Sequence, residues 1–172
     1  MSDKKGKKSN DIFSQFQEDH RPTSEQLAIY FPSALALTLI PLYLFYSIFG
    51  LELYTYLPLF GVVSVGSALI LTLAYHNIAH WLKTRLVSHR EGLVPKSGKD
   101  KKDVLAKKKQ EQIQVTQRES IAFSILYNNA LFLFGVIVLG FFVFKSASAP
   151  FNYVLSVSLS AAALSFFSAS SV

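Results

Sequence analysis

The sequence has no cysteine among its 172 residues, which excludes disulfide bonds and thiolate metal sites. Charged side chains are also absent over long stretches. None occurs between Glu25 and Glu52, between Glu52 and Lys83, between Glu119 and Lys145, or after Lys145. A helix of about 20 apolar residues crosses the hydrocarbon core of a bilayer, and each stretch is longer than that. The pattern therefore predicts an all-α integral membrane protein with four spans.

The four spans are expected to begin and end near recognisable signals. Thr23 and Gln26 have the spacing of a helix capping box just before the first span, and Pro58 suits an early helical position in the second. The fourth span shows a partly strand-like alternation, but a lone strand cannot cross lipid with its backbone unpaired, so a helix is expected. The expected spans are Leu27–Gly50, Leu57–Trp81, Ile121–Phe144 and Phe151–Ala169.

Short connections around Glu52 and Lys145 predict two antiparallel hairpins, with a long loop between them. An even number of spans places both termini and this loop on one side of the membrane. That side carries sixteen of the 17 lysines and arginines, and the other carries only Lys145. The positive-inside rule then makes the termini and the loop cytosolic. An aromatic belt is expected at the lumenal interface, from Tyr54, Tyr56, Phe151 and Tyr153.

The chain divides into four parts: an N-terminal cytosolic segment at 1–26, hairpin 1 at 27–82, a basic cytosolic loop at 83–120, and hairpin 2 at 121–172. Residues 83–119 carry eleven basic and five acidic side chains, which accounts for the whole net charge of +6. Leu86 and Val87 continue a helical pattern beyond the second span, and Gly92 is a stop signal. A second helix beginning near Asp103 is expected to run into the third span. Together they predict a helical stalk with a basic tip.

Three interpretations of the basic cluster compete. It sets topology and attracts anionic lipid headgroups, it contacts RNA phosphates, or it pairs with an acidic protein. Lysine outnumbers arginine, and the loop has no aromatic residue for base stacking, which favours attraction to a backbone over sequence reading. A stalk would lift the tip beyond a Debye length of about 8 Å, which favours a partner in solution over the lipid surface.

The spans themselves contain no charged side chain, which counts against a pump or transporter. Small residues at i, i+4 spacing and two adjacent amides predict helix packing within the membrane, with Gly61 and Gly66 as further candidates. The predicted packing residues are Asn128, Asn129, Ser64, Ala68, Ser156 and Ser160.

Other functions have weaker sequence support. His76 and His80 share a helix face but lack the further ligands that a metal site needs. No catalytic motif is present, so neither an enzyme nor a cofactor is predicted. Two alternatives stay open: a small transporter or channel subunit lined by Asn128 and Asn129, and a scaffold that binds anionic lipid.

Several segments also resemble a known family. Residues 124–129 (SILYNN), 131–133 (LFL) and 152–158 (NYVLSVS) are similar to the last hairpin of the translocon-associated protein gamma subunit, also called signal sequence receptor gamma. Residues 74–77 (AYHN) and 89–91 (HRE) resemble its second span and loop entrance. The resemblance covers the chain from about residue 30 to its end.

The resemblance implies a four-span, non-enzymatic protein of the endoplasmic reticulum membrane that supports co-translational protein translocation. It implies association with alpha, beta and delta subunits beside the protein-conducting channel. It also implies that the cytosolic part contacts rRNA and a protein of the large ribosomal subunit. The contact residues are assigned by charge and reach alone: Arg90, Lys96, Lys99, Lys101, Lys102, Lys107, Lys108 and Lys109.

Overall fold

The computed structural model describes residues 22–91 and 102–170, with the side chains of 53, 88–91 and 102–110 outside the description. The described residues form four long α-helices and no strand, so the predicted all-α class is confirmed. A π-helical turn at Leu139–Val143 follows the third helix directly. The helices are α1 at Ser24–Phe49, α2 at Leu53–Glu91, α3 at Lys102–Val138 and α4 at Ala149–Ala169.

All four helices contain a segment long and apolar enough to cross a membrane, which confirms the four predicted spans. The segments are Ser24–Phe49, Tyr54–Val87, Glu111–Val143 and Ala149–Ala169. The fourth is helical despite its strand-like alternation, as expected for a backbone that must satisfy its own hydrogen bonds in lipid.

The first helix begins and ends at residues that suit those positions. The backbone N–H of Thr23 donates a hydrogen bond to Gln26 Oε1 at 3.2 Å, as the capping-box spacing predicts. The helix continues through Pro41 to Phe49 and is capped by Gly50, whose φ of 62° lies in the left-handed region that glycine adopts without strain. Residues 50–52 form the connection to α2.

The second helix bends near its start and extends well beyond the predicted span. Tyr56 has a non-helical backbone, with φ −113° and ψ 15°, two residues before Pro58. A proline has no N–H for the carbonyl four residues before it, and its ring crowds that carbonyl, so a break in the turn before Pro58 is expected. The break leaves Pro58 at an early position of the regular helix, as predicted. The described part of the helix runs to Glu91, and the predicted stop at Gly92 falls outside the described residues.

The core of the bundle lies around α2, which contacts each of the other three helices. Tyr153 of α4 lies near its centre, with ring centroids 5.6 Å from Phe45 of α1 and 5.1 Å from Phe60 of α2. Both neighbours meet Tyr153 edge-on, which is a favoured aromatic geometry. Three helices therefore share one buried aromatic contact.

The predicted aromatic belt is wrong at Tyr153. That side chain is fully buried, whereas Tyr54 is 97% exposed and Phe151 is 58% exposed. Residues two apart on a helix are separated by about 200° around its axis, so Tyr153 and Phe151 occupy nearly opposite faces. The outward surface of the bundle carries large apolar side chains, as expected where the solvent is lipid.

Candidate functional site

Within the described residues, polar side chains join neighbouring helices inside the bundle, and a first such contact joins α2 to α4. The hydroxyl groups of Ser64 and Tyr153 lie 2.9 Å apart and share a hydrogen bond. Both residues are buried, so neither hydroxyl relies on solvent. Because an unpaired polar group is costly in a lipid environment, this contact fixes how α4 rotates against α2.

The second polar contact joins α2 to α3 around Tyr75. Its hydroxyl donates a hydrogen bond to Asn129 Oδ1, and its backbone carbonyl accepts one from Ser124 Oγ at 2.6 Å. Asn128 Nδ2 in turn donates to the Ser124 carbonyl at 2.9 Å. The adjacent amides thus have different surroundings: Asn129 binds the neighbouring helix, and Asn128 binds its own.

The third polar contact joins the π-helical turn to α4. In the turn, the Phe144 N–H donates to the Leu139 carbonyl at 2.8 Å, five residues earlier. Asn152 Nδ2 donates to the Gly140 carbonyl at 2.9 Å, and Ser156 Oγ donates to Asn152 Oδ1 at 2.9 Å. A π-helical turn displaces carbonyls from the regular helical ladder, and Asn152 binds one of them.

Two glycines allow the closest helix contacts, and they are not the two that the sequence suggested. A Cβ atom at Gly135 would lie 2.9 Å from Ser160 Oγ, and one at Gly140 would lie 2.8 Å from Phe45 Cζ. At Gly61 and Gly66 an added Cβ would have nothing within 4 Å, apart from its own helix. The expectation that Gly61 and Gly66 contribute to packing is therefore wrong within the described residues.

The structure places the six predicted packing residues at or near these contacts. Ser160 faces Gly135, and Ser156 contacts Asn152. Ala68 is fully buried, and its carbonyl accepts a hydrogen bond from Thr72 at 2.8 Å. Five of the six are buried and Asn129 is half-buried, and the buried ones are Ser64, Ala68, Asn128, Ser156 and Ser160.

A cleft opens between α2, α3 and α4 on the side of the bundle that contains Asn128. Its volume is about 360 Å³. Buried side chains from all three helices form its floor, and larger exposed side chains form its rim. The cleft lies where α4 ends and α3 has just entered its charge-free stretch.

The two candidate metal ligands lie together on α2, with imidazole centroids 6.4 Å apart. Both are half-buried. Across the described ranges 22–91 and 102–170, no group of three histidine, cysteine or acidic side chains could hold a metal ion. One turn further along, the Arg85 guanidinium lies 5.0 Å from the centre of the Trp81 ring, a cation–π contact.

The predicted ribosome-contact residues lie in the connection between α2 and α3. Arg90 belongs to α2, while Lys102 and the three lysines at 107–109 belong to α3, but the side chains of all five lie outside the description. Lys96, Lys99 and Lys101 fall outside the described residues altogether.

Comparison with known proteins gives the same assignment along nearly the whole chain. The profile of the family described as translocon-associated protein, gamma subunit (TRAP-gamma) matches residues 10–170. The chain belongs to the TRAP-gamma family. A translocon-associated protein subunit gamma from Dictyostelium discoideum is 38% identical to it over 164 residues, which cover 94% of this chain and 96% of the relative.

Membership of the TRAP-gamma family makes this chain a translocon-associated subunit and implies partnership with other subunits of that complex. The family and the four apolar helices together indicate a multi-pass protein of the endoplasmic reticulum membrane. TRAP-gamma is not known as an enzyme family. The match also confirms the resemblance drawn from the last hairpin.

Sequence reasoning missed Gly135, Gly140 and the role of Asn152 beside the π-helical turn. The small-residue spacing that selected Ser64 and Ala68 applies equally to many faces of a helix, and it does not say which face points inward. A useful signal was available in Asn152, because an amide so early in an apolar span needs a partner within the protein.

Proposed function

We propose that this chain anchors a translocon-associated complex in the endoplasmic reticulum membrane and contacts the large ribosomal subunit through its basic connection at 83–120. In this role its spans bind the alpha, beta and delta subunits beside the protein-conducting channel, and the connection holds a translating ribosome over that channel. The observation that carries the proposal is the location of charge. Eleven basic and five acidic residues at 83–119 supply the entire net charge of +6.

The proposed topology is two antiparallel hairpins with the connection and both termini in the cytosol. Contacts near both ends of α1 and α2 support an antiparallel arrangement of these two helices. Tyr30, near the start of α1, lies with its ring centroid 6.0 Å from that of Tyr75, late in α2. Phe45, near the end of α1, shares Tyr153 with Phe60, early in α2. For the second pair, the carbonyl of Gly140, in the π-helical turn directly after α3, accepts a hydrogen bond from Asn152 early in α4.

The helices leading to the connection continue beyond the charge-free stretches, which supports a stalk. The nineteen residues of α3 from Lys102 to Ser120 rise about 28 Å along the helix axis at 1.5 Å each. Thr116 and Ser120 are buried in this part, so the base of the stalk packs against a neighbouring element. Ser124 of α3 contacts Tyr75 of α2. Because the two helices run in opposite directions, eight residues before Ser124 and eight residues after Tyr75 lie at the same height, which places Thr116 beside Lys83.

The composition of the connection favours a polyanion read by charge. Its cations are mostly lysines, and it has no aromatic residue to stack on a base. Lysines that neutralise phosphates release counterions, so binding of this kind weakens steeply as salt rises. A tip held beyond a Debye length of about 8 Å from the headgroups keeps its potential for a partner in the cytosol.

The test replaces five lysines of the connection by glutamine: Lys101, Lys102, Lys107, Lys108 and Lys109. Purified complex containing either version is reconstituted into neutral liposomes, and bound ribosomes are measured by co-flotation over a series of salt concentrations. We expect the variant to bind ribosomes more weakly. The slope of the logarithm of the binding constant against the logarithm of salt concentration should also become shallower, by up to about 4 if all five lysines neutralise phosphates.

A matched control removes the same charge from the other cytosolic segment, with Lys4, Lys5, Lys7, Lys8 and Arg21 replaced by glutamine. This variant should bind ribosomes nearly as the parent does. Unchanged binding at low salt by the connection variant would refute the proposal. Binding to anionic liposomes that replaces binding to ribosomes would instead support the lipid scaffold. Substrate flux through the reconstituted chain, abolished by Asn128→Ala, would support the transporter.

A further inference from the structure

The amide of Asn129 has one half engaged inside the bundle and the other half open to its surroundings. Its Oδ1 accepts the hydrogen bond from the Tyr75 hydroxyl, but among the described residues none accepts a hydrogen bond from its Nδ2. Asn129 is half-buried, and the fully enclosed polar atoms without a partner in the described part of the chain are the hydroxyls of Tyr30 and Ser160. Nδ2 therefore reaches the surface of the bundle with both N–H groups as unused donors.

The depth of Asn129 in the membrane determines what can satisfy this donor. Ten residues separate it from Glu119 and sixteen from Lys145, the nearest charged residues along the chain. At 1.5 Å per residue these separations are about 15 and 24 Å. The hydrocarbon core is about 30 Å thick, so an equal margin at each end leaves Asn129 about 10 Å inside it. Headgroups, ester groups and water lie outside this layer, so an acceptor at this depth has to come from protein.

The surface of α3 around Asn129 has the spacing of a helix-packing seam. Ala122, Leu126 and Leu133 flank Asn129 at intervals of three and four residues, which place them on one face of the helix. Ala122 is exposed, Leu126 is 70% exposed and Leu133 is half-buried. Among the four spans α3 is the least covered, since 22% of its most apolar window is buried, against 44% in α4. The seam is thus an open apolar surface with one polar group near its middle.

Two kinds of neighbour could cover this seam, and only one of them satisfies the amide. Acyl chains cover the apolar side chains but leave Nδ2 unpaired, which is costly in hydrocarbon. A helix of another membrane subunit covers the same side chains and can also offer an acceptor. Membership of the TRAP-gamma family implies that such subunits are present. Because a regular helix uses its carbonyls in its own ladder, the acceptor is expected to be a side-chain oxygen of serine, threonine, asparagine or glutamine.

We propose that the seam formed by Ala122, Leu126, Asn129 and Leu133 docks a transmembrane helix of another translocon-associated subunit, and that Asn129 Nδ2 donates a hydrogen bond to a hydroxyl or amide oxygen in that helix. This inference rests on the part of the proposed function in which the spans bind the other subunits. It is independent of the basic connection and of ribosome binding.

Photo-cross-linking locates the partner. The photoreactive residue p-benzoylphenylalanine replaces Leu126 in the full chain, which is expressed with the other subunits, and microsomal membranes are irradiated. We expect a cross-link to one subunit, mapped by mass spectrometry to the interior of its transmembrane segment. The matched control places the same residue at Leu73 of α2, which is 55% exposed and ten residues from Lys83, so that its depth matches that of Asn129. The control should not cross-link to that segment.

The contribution of Nδ2 is tested by comparing two variants. Asn129→Leu removes the acceptor for Tyr75 together with the outward donor, whereas Tyr75→Phe breaks the same internal bond and keeps the donor. The apparent dissociation constant of the cross-linked subunit is measured by diluting purified complex in mixed micelles. It should rise about three-fold in Asn129→Leu, the average effect of one hydrogen bond between membrane helices. In Tyr75→Phe it should stay close to that of the parent.

Cross-links from position 126 to lipid alone, or to a second copy of this chain, overturn the proposal. An unchanged dissociation constant in Asn129→Leu, or an equal rise in both variants, overturns the role of Nδ2. If Asn129→Leu fails to fold, cross-linking from position 126 decides alone, since it alters an exposed side chain. Subunits that co-purify with the chain but cross-link only from position 73 would refute this surface and leave the proposed function intact. Failure of every other subunit to co-purify would refute the proposed function itself.

Discussion

Replacing Gly140 by alanine should destabilise the bundle by crowding the contact between the π-helical turn and α1. The new Cβ would lie 2.8 Å from Phe45 Cζ, whereas carbon atoms in good contact are about 3.5 Å apart or more. The Phe45 ring must therefore retreat by about 0.7 Å. It is fully buried, stacked 4.9 Å from Phe49 and edge-on to Tyr153 at 5.6 Å, so its retreat displaces other rings. Overpacking of this kind costs about 1–3 kcal/mol.

The free energy of unfolding, measured by SDS titration in mixed detergent micelles, should fall by that amount. Gly66→Ala is the matched control, because a Cβ at Gly66 meets nothing within 4 Å and the two variants gain the same methyl group. Phe45→Leu removes the obstructing atom. The double variant with Gly140→Ala should therefore be more stable than the sum of the single effects predicts, by about 0.5–3 kcal/mol.

Equal stability of Gly140→Ala and Gly66→Ala would refute the argument that Gly140 is required by a close contact. Strictly additive effects of Gly140→Ala and Phe45→Leu would refute the identity of the contact, since independent sites add.

Three further predictions concern the buried hydrogen bonds. Asn152→Leu should cost about 1 kcal/mol in the same titration, because it leaves the Gly140 carbonyl without its partner; a neutral result would contradict this. Tyr153→Phe and Ser64→Ala should each cost about 0.6 kcal/mol, and together no more than either alone, since they break one shared bond. Tyr75→Phe should lower the free energy of unfolding by about the same amount, because Asn129 Oδ1 loses its hydrogen-bond donor. The backbone amides at the α2–α3 contact should then exchange their hydrogens faster.

The number of spans was predictable because lipid leaves the backbone few choices. A charge-free stretch such as that between Glu52 and Lys83 can cross a bilayer only as a helix or within a closed barrel. The continuation of α2 beyond its charge-free stretch was equally predictable, since the apolar spacing at Leu86 and Val87 acts locally along one helix.

The inward faces were not predictable from the same patterns. In a soluble helix, polar residues mark the outside, but here both faces are apolar, and Tyr153 gives no sign that it belongs in the core. Gly140 and Gly66 look alike in sequence, yet only Gly140 contacts another helix within 3 Å of an added Cβ. In the π-helical turn at Leu139–Val143, the Gly140 carbonyl accepts a hydrogen bond from Asn152, a residue of the next helix that local patterns do not connect with the turn.

The two candidate sites, the basic connection and the cleft, also differ in how far the sequence predicts them. The basic connection is visible in the sequence because charge is a property of each residue, whichever way it faces. The cleft is not visible, because it forms from single residues of three helices. Asn128 was identified as polar and within the membrane, but whether its oxygen has a partner depends on where α2 and α4 place their side chains.

The central claim is that the connection at 83–120 faces the cytosol and meets the ribosome. The chain has no cysteine, so a single one can be introduced without background. In sealed rough microsomes, Ser97→Cys should react with a membrane-impermeant maleimide once ribosomes are stripped, and be protected when they are bound. Ser146→Cys, in the short connection before α4, should react only after permeabilisation. Reaction of Ser97→Cys only after permeabilisation, or equally fast with and without bound ribosomes, would contradict the account.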